Sequence, residues 1–321
     1  MARINLQISH NRKFDVVGMG MNAIDHIITV PGYPDPNSKT RLKEYNLQGG
    51  GQIGNSLAAL ARLGLKTRCL GKVGDDWQGE LSLKLLKEAG VDVSFVIQEK
   101  NCTNQFAFII VDERNGNRTI MAHRHKKLEF EPGDFPKKAI LSGKILFLDG
   151  SGKKCSLDAI RLAQKAGIPV VLDVERMKDY LEDMLGLADV IIAAETFKDA
   201  ICPGENWEKF LEIIFRKYSP RYCGITLGEK GSAGFDGKNL YYAPSYPARV
   251  ADTTGAGDIY HAAFIFGLLQ EWDIGRVILF SNAAAGLKCE HIGARAGAPE
   301  FEEVERLMEE NTNIKCKVYE R

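Results

Sequence analysis

Short apolar strands alternate with glycine-closed helices along most of this chain, and that rhythm leaves few architectures open. Residues 14–18 (FDVVG) read as a buried strand, and 55–63 (NSLAALARL) compose a helix ended by Gly64. Residues 69–73 form a strand entering Gly74, and 77–89 carry helical periodicity closed by Gly90. Later come strands at 144–148, 169–172, 190–193 and 222–227, and helices at 156–166 and 207–218. Two long apolar helices follow at 259–269 and 277–289. Such alternation predicts an α/β fold with a mainly parallel sheet. A chain of 321 residues is long enough for one such domain with an appendage, and the whole of 1–321 reads as that single unit.

The stretch 104–122 breaks the rhythm. Residues 106–111 and 118–122 are strand-like, with Asn115-Gly116 between them, which predicts a hairpin outside the main sheet. Lys plus Arg and Asp plus Glu both total 42, so the chain lacks the basic excess of a general nucleic-acid binder. Its longest apolar stretch, 259–269, contains His261 and is too short to span a bilayer. With no apolar leader pattern at its start, the chain reads as soluble and cytoplasmic, with neither nucleic acid nor membrane as partner. Seven cysteines are scattered singly without a CxxC pair, which argues against a disulfide framework or a zinc site.

Two glycine-rich turns carry the chemistry. Asp252-Thr253-Thr254-Gly255-Ala256-Gly257-Asp258 opens the apolar helix that follows. Its free backbone N–H groups and the helix dipole suit an anion, as phosphoryl transfer requires. Asp258, in the first turn, can accept a hydroxyl proton, and the same dipole is expected to keep it ionised. Spacing alone leaves a helix-capping role for Asp258 open. Gly49-Gly50-Gly51-Gln52-Ile53-Gly54-Asn55 opens a second helix, where glycines permit close ligand approach and Asn55 both donates and accepts. Gly18-Met19-Gly20-Met21-Asn22-Ala23 fits the dinucleotide fingerprint in form, but β-branched residues and prolines follow where a long helix is needed. The GxxxxGK[ST] phosphate loop is absent. His123 and His125 alternate on a strand and lack a nearby third metal ligand.

Together these residues resemble the ribokinase-like (PfkB) family of carbohydrate kinases. The likeness rests on 50–55, continuing through Ala61-Arg62-Leu63-Gly64 and Gly71-Lys72-Val73-Gly74-Asp75-Asp76, and on 252–258 in that order and separation. It implies a three-layer Rossmann-type core with a mainly parallel sheet. It also implies a small β-sheet lid drawn from about 27–48 and 104–122, through which two copies could pair. By position, Asp258 matches the catalytic base and Gly255, Ala256 and Gly257 match the anion hole. Asp25, Gly50, Gly51 and Asn55 match sugar-binding positions. Thr226, Gly228, Gly231 and Asn282 match the lining of the ATP pocket, and Gly293 begins the turn that closes over the nucleotide. The implied reaction is ATP-dependent phosphorylation of a sugar hydroxyl with Mg2+ held through phosphates and water. A nucleoside kinase and a catalytically idle sugar-binding relative are the alternatives.

Three departures accompany the likeness. Ala194-Glu195-Thr196-Phe197 replaces an Asn-x-x-Glu motif, leaving Glu195 as a partial substitute near the metal. Asp173-Val174-Glu175-Arg176 replaces Asp-x-Asn-x-Arg one residue out of register, which leaves a contact from Arg176 to an acidic acceptor open. Gly297 stands where many relatives have Ser, which weakens the case for a bound potassium ion.

Overall fold

A computed structural model describes residues 2–178 and 180–321. Among them, nine strands form one sheet. Its parallel part runs in the order Tyr222–Thr226, Val190–Ala194, Val170–Val174, Gly143–Leu148, Phe14–Met19 and Thr67–Leu70. Strands Ser232–Phe235, Asn239–Ala243 and Lys317–Glu320 extend it antiparallel at one edge, an extension the sequence rhythm did not reveal.

Side-chain alternation along these strands divides the core into two layers. Val17, Leu146 and Leu148 pack with helices Lys153–Lys165, Leu181–Leu185 and Trp207–Tyr218. Val16, Ile145 and Phe147 face helices Gln52–Arg62, Ala256–Leu269 and Ile274–Cys289. The helix Ala256–Leu269 is apolar all round because sheet, helix Gln52–Arg62 and helix Ile274–Cys289 enclose it. That enclosure holds its N-terminus at the carboxyl ends of the parallel strands, where such sheets bind ligands.

The predicted strand at 69–73 divides in two. Thr67–Leu70 stays in the main sheet beside Phe14–Met19, whereas Lys72–Gly74 leaves it to pair with Ile97–Glu99. Gly71 stands at the break and gives the chain room to change direction.

The hairpin Phe106–Asp112 and Arg118–His123 lies outside the main sheet, as its break in rhythm predicted. It joins Ala23–Val30 and Glu44–Gly50 in a four-stranded sheet. This small sheet begins at Ala23 rather than Ile27, because Ala23 and Ile24 already pair with Gly50 and Gly49. The register puts Asp25, Ala107 and Ala122 on one face and His26, Phe106 and Phe108 on the other. The first face turns toward the core, where Ile27, Ala107, Ile109 and Val111 pack with Ile292. At its edge Arg118 donates to the Thr253 hydroxyl, joining the small sheet to the turn 252–258. His125 lies beyond the strand that ends at His123, and its Nδ1 accepts from the Lys127 amide at 3.1 Å.

Phe264 is fully buried in the enclosed helix and packs on the Tyr222 ring. Phe264→Ala should therefore lower stability by about 3–5 kcal/mol in denaturant unfolding. The exposed Val318→Ala change should stay within about 0.5 kcal/mol. Equal effects at the two positions would contradict this placement of the core.

Candidate active site

The two glycine-rich turns meet at one point. Asn55, in the first helical turn of Gln52–Arg62, donates from Nδ2 to Asp258 Oδ2 at 2.7 Å. Ser56 Oγ donates to the backbone carbonyl of Asp258 at 3.0 Å, a second link between the helices. Asp258 is the third residue of its helix, and Gly255 is the N-cap with φ of 76°. The Asp258 side chain caps nothing, so a purely capping role does not describe it. Among the described residues, the N–H groups of Gly255, Gly257 and Asp258 meet no acceptor. A side chain at Gly257 would enter open space, so this N-terminus is accessible to an anion.

Electrostatics around Asp258 differ from the expectation that the helix dipole keeps it ionised. Desolvation raises its pKa to about 7, with Asn55 pulling down and Asp173 pushing up. Desolvation is the largest of these effects, and the second carboxyl, Asp173 in the strand Val170–Val174, adds to it. Asp173 is raised well above the ordinary range by desolvation, and Gln52 Nε2 donates to it at 3.1 Å. His261, one turn beyond Asp258, points Nδ1 at the Gly257 carbonyl at 2.6 Å, so that nitrogen carries the proton. Its Nε2 lies 3.3 Å from Asp173 Oδ1. That nitrogen is buried and accepts no hydrogen bond among the described residues, and burial favours the neutral form of both His261 and Asp173.

Asp25 lies within the strand Ala23–Val30. It is buried, and its carboxylate has no hydrogen-bond partner among the described residues. Desolvation raises its pKa to about 6, against the pull of Arg295. Gly50 is required beside it, since a Cβ there would stand 2.2 Å from the carboxyl carbon. Gly51 adopts φ of 85° to turn the chain into the helix. Arg295 holds the group together: it donates to Asn55 Oδ1 at 3.0 Å, Asn22 Oδ1 at 2.6 Å and the Gly50 carbonyl at 2.7 Å. Desolvation lowers Arg295 to about 10, which still leaves it charged.

The positions assigned to the nucleotide lie along the adjoining edge. Thr226 ends the strand Tyr222–Thr226, and its hydroxyl bonds the Ala193 carbonyl at 3.5 Å. Gly228 opens a short 3-10 turn that Gly231 closes, both with positive φ. Asn282 is buried with its amide spent internally, on Ser232, Ala243 and Pro244. That bonding makes it a brace for the Ser232–Phe235 hairpin. Gly293 donates its amide to Asp252 Oδ2 at 2.8 Å, which ties the late turn to the signature loop.

Residues 12–300 match the profile of the pfkB family carbohydrate kinases. The chain belongs to that family. A 5-dehydro-2-deoxygluconokinase of Shouchella clausii is 27% identical, over 96% of this chain and 99% of its own length. Among solved structures, Arabidopsis thaliana ribokinase complexed with ribose and ATP is 25% identical, with a TM-score of 0.76 over 92% of this chain and 98% of its own. Thermotoga maritima ribokinase, at 21% identity, has the same fold, with a TM-score of 0.81 over 92% of this chain and 99% of its own.

Against that family pattern, Phe197 is fully buried and packs on Phe210, so it faces the core. Glu195 is exposed at the end of Val190–Ala194 and borders a cavity of about 680 Å³ that also touches Leu227 and Lys230. Arg176 is exposed and pairs with Glu175 at 3.5 Å. Sequence reasoning missed Arg295, His261 and Asp173 as parts of one constellation. A polar residue set inside an apolar helix was the available signal for His261.

The raised pKa of Asp258 fixes the sign of a stability effect. Its folded pKa of about 7 exceeds the ordinary value of about 3.9, so ionisation opposes folding as pH rises between them. The stability of Asp258→Asn relative to the parent should therefore increase across that window and level off above it. Denaturant midpoints measured on both proteins across pH would show this, and a pH-independent difference would contradict the assignment.

Proposed function

We propose that this kinase transfers the γ-phosphoryl group of ATP to a hydroxyl of a sugar or sugar-like acceptor, with Asp258 as general base. The observation that carries the reading is the open helix N-terminus beside a carboxylate whose Oδ1 has no protein partner. The acceptor oxygen forms a bond to the γ-phosphorus as the bond to the ADP oxygen breaks, and the hydroxyl proton passes to Asp258. A base with a pKa near 7 suits a loose transition state that needs little early proton removal. The amides of Gly255, Gly257 and Asp258 accommodate the charge on the transferring group.

Asp25 and the Asn55 amide border the acceptor side. The Asp25 carboxylate, buried without a partner, suits two adjacent hydroxyls. Magnesium supplies charge neutralisation to the phosphates when bound. Glu195, exposed at the end of Val190–Ala194, is the carboxylate this reading assigns to an ion carried largely by phosphates and water. A nucleoside acceptor is disfavoured because Phe106 and Phe108 cluster with His26 on the outer face of the small sheet and cannot stack on a base in the site.

Asp258→Asn should lower kcat by about 10²–10⁴ while ATP affinity changes only a few-fold. Asp25→Ala should instead raise the acceptor KM by about 10-fold or more, the loss of a charged hydrogen bond, and leave the ATP KM in place. Near-normal turnover by the Asp258 variant would end the base assignment, and parallel movement of both KM values would end that of Asp25.

The small sheet also offers a dimer surface. Tyr45, Leu47, Phe108 and Met121 are exposed together on its outer face, beside Trp77. A second copy is the occupant this reading assigns, since an uncovered apolar sheet with two free edges is self-complementary. Phe108→Glu with Met121→Glu should convert a dimer to a monomer in sedimentation equilibrium. A parent protein that is monomeric at micromolar concentration would refute it.

A further inference from the structure

Lys288 has no solvent exposure, yet it carries an ammonium group directly beneath the signature turn. A buried charge persists only when fixed oxygens replace its water. Lys288 Nζ donates to the Asp252 carbonyl at 2.6 Å and to the His291 carbonyl at 3.2 Å, and it lies 3.9 Å from Asp252 Oδ2. These oxygens come from the two segments that must meet for the site to exist. Asp252 leads the turn 252–258, and its carboxylate accepts from Thr254 N and Gly293 N, both at 2.8 Å. His291 precedes the late turn, in which Ala294 backs Gly255 so closely that a Cβ on Gly255 would lie 2.2 Å from its own. Carbonyl and carboxylate oxygens around a compact univalent charge are also the ligand set that a potassium or ammonium ion takes. Here the position is filled from within the chain, so a free ion does not fit among these oxygens.

We propose that Lys288 is a tethered monovalent cation that holds the 252–258 turn against the 291–295 turn, so that the phosphate-accepting geometry is assembled without any exogenous monovalent ion. The inference rests on reading the amides of 255–258 as the phosphoryl site. Its structural part, the replacement of a free ion by a side chain, is separable from that reading.

The test compares the parent protein, Lys288→Ala and Lys288→Gln in choline, potassium and ammonium chlorides at matched ionic strength. Two readouts are used: the ATP KM with an accepted sugar, and the thermal midpoint without substrates. For the parent, exchanging choline for potassium should change the ATP KM by less than about twofold and leave the midpoint in place. Lys288→Ala opens a space of ion size among unpaired oxygens. Its ATP KM in choline should rise by about tenfold or more, and potassium or ammonium should restore both KM and midpoint. Lys288→Gln fills the space with a neutral donor, keeps the fold, and should show a raised KM that no cation relieves. Activation of the parent by potassium would overturn the proposal. So would a Lys288→Ala protein that matches the parent in choline, or one whose defect neither cation relieves. If the parent phosphorylates no hydroxyl compound, the kinase reading fails, and the thermal midpoints still decide the role of Lys288.

Discussion

A carboxylate held at the N-terminus of an enclosed apolar helix is the constraint on which the rest of this structure depends. The 2.7 Å hydrogen bond from Asn55 to Asp258 fastens the first glycine-rich turn to the last, across 203 residues of chain. Packing supplies the precision. The helix Ala256–Leu269 is buried from Ile259 to Leu268, which anchors its open first turn, and the residues that meet that turn inherit the rigidity. Desolvation by the same packing lifts the Asp258 pKa to about 7, the range that suits the base role proposed for it.

Charge balance organises the surroundings. Asp25, Asp173 and Asp258 share a region poor in water, and each is pushed toward protonation by burial. Arg295 offsets part of that pressure and aims the Asn55 carboxamide, since its donation to Oδ1 leaves Nδ2 for Asp258. The close approach of Arg295 explains the glycine run better than flexibility does: a Cβ on Gly49 or Gly54 would lie 2.2 or 2.4 Å from the guanidinium. The run 49–54 is thus a channel cut for an arginine contributed by the distant C-terminal turn.

Much of this was legible in the sequence, for identifiable reasons. Each glycine-rich turn announces itself locally, because glycines leading straight into an apolar helix leave the first amides of that helix uncovered. The hairpin at 106–123 was legible because Asn-Gly between alternating residues is a strong short-range signal. What stayed hidden depends on topology. Arg295, Asp173 and His261 each look ordinary alone, and only the order of the parallel strands brings them to Asp258. The split of 67–74 between two sheets was hidden because both halves have the same β-favouring composition. The ionisation of Asp258 was misjudged because dipole and spacing are local, whereas desolvation is set by every layer packed around it.

The most direct test of the account is the pH dependence of kcat/KM for the acceptor under saturating ATP. A general base with a pKa near 7 predicts that kcat/KM rises tenfold per pH unit below that value and levels off above it. The residual activity of Asp258→Asn should lack that limb. A parent profile that stays flat from about pH 5 upward would show that Asp258 is already ionised there and is not raised by burial. A limb that persists unchanged in Asp258→Asn would show that another group takes the proton, and either result would contradict the account.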